Sequence, residues 1–313
     1  MDRAIIISNG RCGSTMLSDL IVSEPETCSV QEFFMSVAMW QRSSEILTGP
    51  AYWDVLSGPK EELSLLFRIG VPPKEVRYPA TGRFAGDLLK LPRIMAITLA
   101  KLTDDPDTLF DRLGERVRQF PAQRIGAHHQ AFLDLLAELT GKKRWVERSG
   151  GSSQVAPSLL ENHPSARIVY LTRDWAATAR SMSRHSVFQL VQLRVEAVGR
   201  YGVDPLTVPP GTPVPDELAP YLPDRLTAEL LSERGNDVKR FMALCAFMSS
   251  QAEQILADRP PAHLHRIAYE DLVADPVARL TDLGEFLQFA DPAGWAASVA
   301  HRVRRPEPAV ALG

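Results

Sequence analysis

Two rhythms of apolar and polar residues alternate along this chain. Residues 3–8, 144–148, 166–172 and 264–269 are short apolar, β-branched runs with polar flanks, the pattern of buried strands. A shorter run near 27–31 predicts a fifth strand. Elsewhere the spacing is helical. Ile125, Phe132, Leu135, Leu136 and Leu139 form one stripe over 121–140, which Gly141 ends. Phe241, Leu244, Cys245 and Met248 form another and predict one long helix over 225–257. Asp275-Pro276 opens a helix carrying Leu280, Leu283, Phe286 and Leu287. Strands separated by long helices predict an α/β fold, a three-layer sandwich around a central parallel sheet.

Two regions break the rhythm. Residues 40–120 hold helices and glycine-proline turns with little strand, and residues 202–223 are crowded with proline. Both are expected to be insertions over the carboxyl edge of the sheet, where open α/β folds bind ligands. Neither a repeat nor a clean boundary divides the chain. A single domain over 1–313 is expected, with helical insertions about 40–120 and 185–258.

The bulk numbers narrow the classes. With 313 residues, 45% of them hydrophobic, the chain is an ordinary globular protein, and a net charge of −3 gives no global field for nucleic acid. Cys12, Cys28 and Cys245 are odd in number and unpaired in spacing, which suits a reducing compartment and suggests no metal site. No run reaches the roughly 18 apolar residues of a membrane span, and no targeting segment precedes the first strand. A cytoplasmic protein without a membrane span is expected.

The most informative stretch joins the first strand to a helix. Ala4-Ile5-Ile6-Ile7 runs into Ser8-Asn9-Gly10-Arg11-Cys12-Gly13-Ser14-Thr15, and Met16, Leu17, Leu20 and Ile21 then follow at helical spacing. A strand, a tight turn and a helix N-terminus aim several backbone N–H groups and a positive dipole end at one point. Arg11 adds a permanent cation with a forked set of donors. The turn predicts a phosphate or sulfate cradle. It is not a Walker loop, because Gly10 and Gly13 stand too close together and Ser14 occupies the lysine position. The plainer alternative is a turn whose glycines serve only its geometry, with Cys12 as a small apolar filler.

A second charged strand end lies at Arg173-Asp174. Asp174 is a suitable N-cap, and Ser181 follows Arg173 by about two helical turns. Taken alone, the pair is better read as a salt-bridged arginine and an exposed serine.

Arg173-Asp174-Trp175-Ala176-Ala177-Thr178-Ala179-Arg180-Ser181 resembles the R-[ND]-P-x-D-x-x-x-S segment of sulfotransferases that use 3′-phosphoadenylyl sulfate (PAPS). In that family the arginine and serine hold the 3′-phosphate of the donor. The opening turn is similar to the family's 5′-phosphosulfate loop, P-[KR]-[ST]-G-[ST]-[ST], with Arg11 on the basic position and Gly13, Ser14 and Thr15 in register. Tyr269-Glu270-Asp271-Leu272, then Asp275-Pro276 and Phe286-Leu287, resembles the family's Y-E-D-L-x-x-[DN]-P segment leading to E-F-L-G. The resemblance implies a P-loop NTPase-like fold and in-line transfer of a sulfuryl group from PAPS to a hydroxyl of a small-molecule, carbohydrate or lipid acceptor. It implies donor-binding roles for Arg11, Cys12, Gly13, Ser14, Thr15, Arg173 and Ser181. The insertions would shape the acceptor pocket, where Trp40, Tyr52, Trp53 and Phe84 offer stacking surfaces or simply close a core. Gly10, Cys12 and Trp175 depart from the family pattern, and the late R-K-G-x-x-G-x-W loop is missing; Arg302, Arg304 and Arg305 stand nearest to it.

Arg11 is expected to be catalytic by stabilising charge on the leaving phosphate. The base is expected to be Glu32. Gln31-Glu32-Phe33-Phe34 resembles the E-[YF]-F segment of bacterial carbohydrate sulfotransferases, and flanking aromatics would raise a carboxyl's pKa. The bland reading of Glu32 is a helix-N-terminal acid. Other families of this fold use a histidine as base, so His128, His129 and His185 are the alternatives. The first two fall beside an apolar stripe, as a hydrogen-bonded core pair would, and His185 follows the Ser181 helix, where it could face the acceptor. Two other functions stand beside this one: a P-loop kinase with an atypical loop, and a non-catalytic module binding adenosine 3′,5′-bisphosphate.

Overall fold

The computed structural model describes residues 1–38, 44–209 and 211–304. Trp40, Pro210 and Arg305 fall outside them. The described strands are β1 (Asp2–Ser8), β2 (Thr27–Gln31), β3 (Ile46–Leu47), β4 (Gln123–Arg124), β5 (Arg144–Arg148), β6 (Arg167–Thr172) and β7 (Leu264–Ala268). All five strands read from the sequence form one sheet, in the order β2-β5-β1-β6-β7. Each pairing in it is parallel. β3 and β4 make a small antiparallel pair of their own, joining the 40–120 insertion to the helix that follows it.

The helices in chain order are α1 (Ser14–Ile21), α2 (Phe33–Ser36), α3 (Gly49–Ser57), α4 (Glu61–Arg68), α5 (Pro106–Val117), α6 (Ile125–Leu139), α7 (Ala156–Asn162), α8 (Trp175–Ser183), α9 (Ser186–Tyr201), α10 (Ala228–Gly235), α11 (Val238–Leu256), α12 (Tyr269–Ala274), α13 (Pro276–Phe286) and α14 (Pro292–Val299). None is long and apolar enough to cross a membrane. The single helix expected over 225–257 is two, α10 and α11. Asn236 and Asp237 break it, and the Asp237 side chain caps α11 by accepting from the Lys239 N–H. An apolar stripe reads the same on either side of such a break, so periodicity does not reveal it.

Alternation along the central strands builds the three layers. Ile5 and Ile7 of β1, with Ile168 and Tyr170 of β6, face one core, completed by Phe132 and Leu136 of α6 and Leu159 of α7. Ala4 and Ile6, with Val169 and Leu171, face the other, completed by α1, α13 and α14 through Leu17, Leu280 and Trp295. Burying both faces explains why these strands read as continuous apolar runs.

The strand order also locates the site. From β1 the chain crosses beyond β5 to reach β2, and from β5 it passes over β1 to reach β6. The direction of winding therefore reverses beside β1, and its carboxyl end opens into the crevice of a doubly wound sheet.

Candidate active site

The turn after β1 lies at this crevice. It is held by two glycines in left-handed backbone, Gly10 (φ 80°) and Gly13 (φ 90°), with Arg11 also left-handed between them (φ 57°). A Cβ on Gly13 would lie 2.5 Å from Cδ2 of Tyr269, and one on Gly10 would overlap Cζ of Phe188. Both glycines are thus required by close approach as well as by conformation. A non-glycine residue kept at positive φ stores local strain, and Arg11 is held that way at the mouth of the site.

The Arg11 side chain is a hub. Its Nε donates to Oγ of Ser181 at 3.1 Å, and Nη1 donates to Oε1 of Glu75 at 2.9 Å. Arg173, at the tip of β6, donates from Nη1 to the Arg11 carbonyl at 3.2 Å and lays its guanidinium over the Tyr269 ring, 4.6 Å from the centroid. The two regions read separately in sequence as anion sites are therefore one surface. Asp174 caps α8 as expected, accepting from the Ala177 N–H at 2.8 Å, while its own N–H donates to Glu270. Tyr269 and Glu270 thus buttress both turns.

The remaining cradle residues divide by orientation. The Cys12 side chain packs in the core with Ala4, Ile6 and Leu17, and burial pushes its thiol pKa up. It is the apolar filler, and only its backbone remains for an anion. Ser14 is buried at the start of α1, and Thr15 is half-buried.

Glu32 stands at the tip of β2 with left-handed backbone (φ 59°). Its Oε1 pairs with Nη1 of Arg148 and accepts the Gly150 N–H at 3.0 Å. Phe33 and Phe34 do not enclose it. Both are fully buried, and Phe33 stacks on Phe132 with centroids 5.0 Å apart. What surrounds the Glu32 carboxylate is a guanidinium and a backbone donor, so the aromatic desolvation expected from sequence is not the force acting on it. Nearby, fully buried Glu147 accepts from Oγ of Ser149 at 2.5 Å and from the Phe34 N–H at 3.1 Å, and its Oε2 has no hydrogen-bond partner among the described residues. Burial raises the Glu147 pKa to about 8.

The histidines separate cleanly. His128 bonds the Leu47 carbonyl at 2.8 Å, and His129 bonds the Tyr52 hydroxyl at 2.8 Å. Both are buried, and burial lowers both pKa values. They are the core pair, and Tyr52 and Trp53 belong to that core, not to a stacking surface. His185 instead reaches the crevice, with Nε2 3.0 Å from Oε2 of Glu75. Arg302 donates to the Asp19 carbonyl, and the Arg304 carbonyl accepts from the Tyr269 hydroxyl, so the backbone of this segment braces the buttress.

Sequence reasoning missed Glu75 and Lys60. Glu75 is one acid in a Pro-Pro-Lys-Glu turn, a context without any motif. Lys60 precedes α4 and donates to the Met35 carbonyl at 2.7 Å; burial lowers its pKa, opposed by Glu62 and Glu32. Only tertiary placement of the 40–120 insertion brings either to the sheet edge.

No family model matches the chain, and no curated protein matches it. Among solved structures it is similar to a sulfotransferase domain from the curacin biosynthetic pathway, at 16% identity and TM-score 0.44 over 92% of this chain and 74% of that one. It is also similar to the sulfotransferase domain of the Synechococcus PCC 7002 olefin synthase, at 14% identity and TM-score 0.43 over 94% and 76%. A sulfotransferase from Mycobacterium avium stands at 15% identity and TM-score 0.44, over 100% of this chain and 70% of that one. At this level of likeness the chain's own residues carry the functional reading.

Proposed function

We propose that this chain is a sulfotransferase, taking a sulfuryl group from PAPS to the hydroxyl of a small-molecule, carbohydrate or lipid acceptor. The observation that carries the reading is the meeting of Arg11, Arg173 and Ser181 through the contacts of 3.1 and 3.2 Å described above. A strand tip, a helical serine eight residues later and the turn after β1 converge as they would around one ligand with two anionic ends.

The crevice suits such a donor. The glycine turn packs against Tyr269 too closely for a side chain at Gly13, and α1 begins there with its dipole toward the turn. Arg173 and Ser181 provide a cation and a hydroxyl for a phosphate. When bound, PAPS supplies the sulfuryl group and a phosphate leaving group. Arg11 lies where it can stabilise charge developing on that leaving group. Glu32 is the group proposed to take the acceptor proton. Arg148 and the Gly150 N–H fix its carboxylate at one position, which favours alignment with an acceptor.

Calorimetric titration with adenosine 3′,5′-bisphosphate, beside ATP with Mg²⁺, tests the reading. The bisphosphate should bind in the micromolar range or tighter, and ATP weakly. Binding of ATP alone would return the chain to the kinase class. A radiolabelled-donor screen of acceptors with Glu32→Gln separates enzyme from binding module: the variant should keep the nucleotide and lose transfer.

A further inference from the structure

Glu75 forms the least expected contact in the crevice. Its carboxylate lies between two donors anchored on different elements. Oε1 accepts from Nη1 of Arg11 at 2.9 Å, and Nε2 of His185 lies 3.2 Å from Oε1 and 3.0 Å from Oε2. Both donors are fixed to the cradle. Arg11 belongs to it, and its backbone is held at positive φ. His185 packs edge-on against Phe188, with centroids 5.5 Å apart, and Phe188 fills the space a Gly10 side chain would need. Glu75, by contrast, sits on an irregular turn after α4, outside the sheet and its flanking helices.

We propose that the Glu75 carboxylate is an internal stand-in for the sulfuryl end of the donor, seated where Arg11 and His185 converge, and that His185 is a binding residue for that group. The inference rests on the sulfotransferase reading for the identity of the anion. The geometry is that of an anion site: a forked guanidinium and a ring N–H converge on one pair of oxygens. Burial alone would raise the Glu75 carboxyl, but the His185 hydrogen bond and charge, with Arg11 behind them, outweigh it and hold the pKa down at about 2. Glu75 is therefore an anion at any working pH, and it cannot share this point with a second anion at low cost. Ligand entry must move the turn carrying Glu75 and hand Arg11 and His185 to the newcomer. Any population held in the bridged state then lowers the apparent affinity in proportion.

Inorganic sulfate is the probe, titrated into the full chain saturated with adenosine 3′,5′-bisphosphate and again without nucleotide. If the bridged state is populated roughly nine times in ten, Glu75→Gln should bind sulfate about tenfold tighter than the parent. Glu75→Asp, which keeps the charge but draws it back from Arg11, should fall between. Adding His185→Phe to Glu75→Gln should cancel the gain. Thermal unfolding of each variant confirms that folded proteins are compared. Equal or weaker sulfate binding by folded Glu75→Gln, or a gain that survives His185→Phe, would overturn the stand-in. Failure of adenosine 3′,5′-bisphosphate to bind any of these proteins would instead overturn the donor assignment, while the nucleotide-free sulfate titrations still decide the role of Glu75.

Discussion

Arg173 donates to the main-chain carbonyl of Arg11 at 3.2 Å, tying the tip of β6 to the turn after β1. The same guanidinium lies over the Tyr269 ring, so its orientation is set from two sides. These contacts engage only part of its donor array, which leaves N–H groups for a ligand. Arg173→Ala should weaken adenosine 3′,5′-bisphosphate by about 1.5–3 kcal/mol, the range for a hydrogen bond to a charged group. Tyr269→Leu removes the stacking and the hydroxyl's bond to the Arg304 carbonyl but leaves the guanidinium in place, and it should cost less, about 0.5–2 kcal/mol. Calorimetry on the two variants checks the order, and a larger loss for Tyr269→Leu would contradict it.

Arg11 differs from Arg173 in what its loss should do. Its guanidinium joins Ser181 on one side and Glu75 on the other, at the point assigned to the transferring group. Arg11→Ala should reduce turnover by about 10²–10³ while changing nucleotide affinity far less. Arg11→Lys keeps the charge but has no Nε to reach Ser181, and it should recover part of the rate. Single-turnover transfer beside equilibrium binding separates the two effects. An affinity loss matching the rate loss would place Arg11 in binding alone.

Gly13 tests the backbone of the cradle. Its φ is 90°, and a methyl group added to it would lie 2.5 Å from a carbon of the Tyr269 ring, so alanine has no room. Gly13→Ala must either displace Tyr269, releasing its bond to the Arg304 carbonyl, or reshape the turn. The expected cost is about 1–3 kcal/mol of stability, with nucleotide binding lost together with it. Thermal melts read the first and titration the second. Gly141 has a similar φ of 70° but nothing within 4 Å, so Gly141→Ala should carry the conformational cost without any effect on binding.

Much of this was legible in the chain because it is local. β1 and β6 stand out as apolar runs, since burial on both faces leaves few polar positions to blur the pattern. The Gly10–Gly13 turn and the Asp174 cap are likewise written in consecutive residues. The convergence of Arg11 with Ser181, 170 positions apart, depends on strand order and was reachable only through resemblance. Glu75 was reachable by neither route, because its contacts with Arg11 and His185 depend on how the segment after α4 packs. The environment of Glu32 was misjudged for a related reason. Phe33 and Phe34 adjoin it in sequence, yet the α2 turn sends both rings into the core and leaves the carboxylate to Arg148, which is supplied by the neighbouring strand.

Glu147 gives the chain a pH dependence with a definite sign. Its carboxyl is fully buried near Glu32, and burial raises its pKa from 4.5 to about 8. Between those values the folded protein keeps a proton that the unfolded chain has released. The contribution is fully present below about pH 4.5 and is lost as pH rises through about 8, because the fold must then hold either a costly proton or a buried charge. Each unit of that gap corresponds to about 1.4 kcal/mol. Glu147→Gln preserves an oxygen for the Phe34 N–H and the Ser149 hydroxyl and cannot ionise. Its melting temperature should exceed the parent's at about pH 8.5 and approach it near pH 5. Melts of both proteins from about pH 4.5 to 9 check this, since the difference between them cancels other titrating groups that the substitution leaves alone. A difference that stayed constant with pH, or grew toward the acid side, would mean that Glu147 is charged in the folded protein and that Arg148 serves it as well as Glu32.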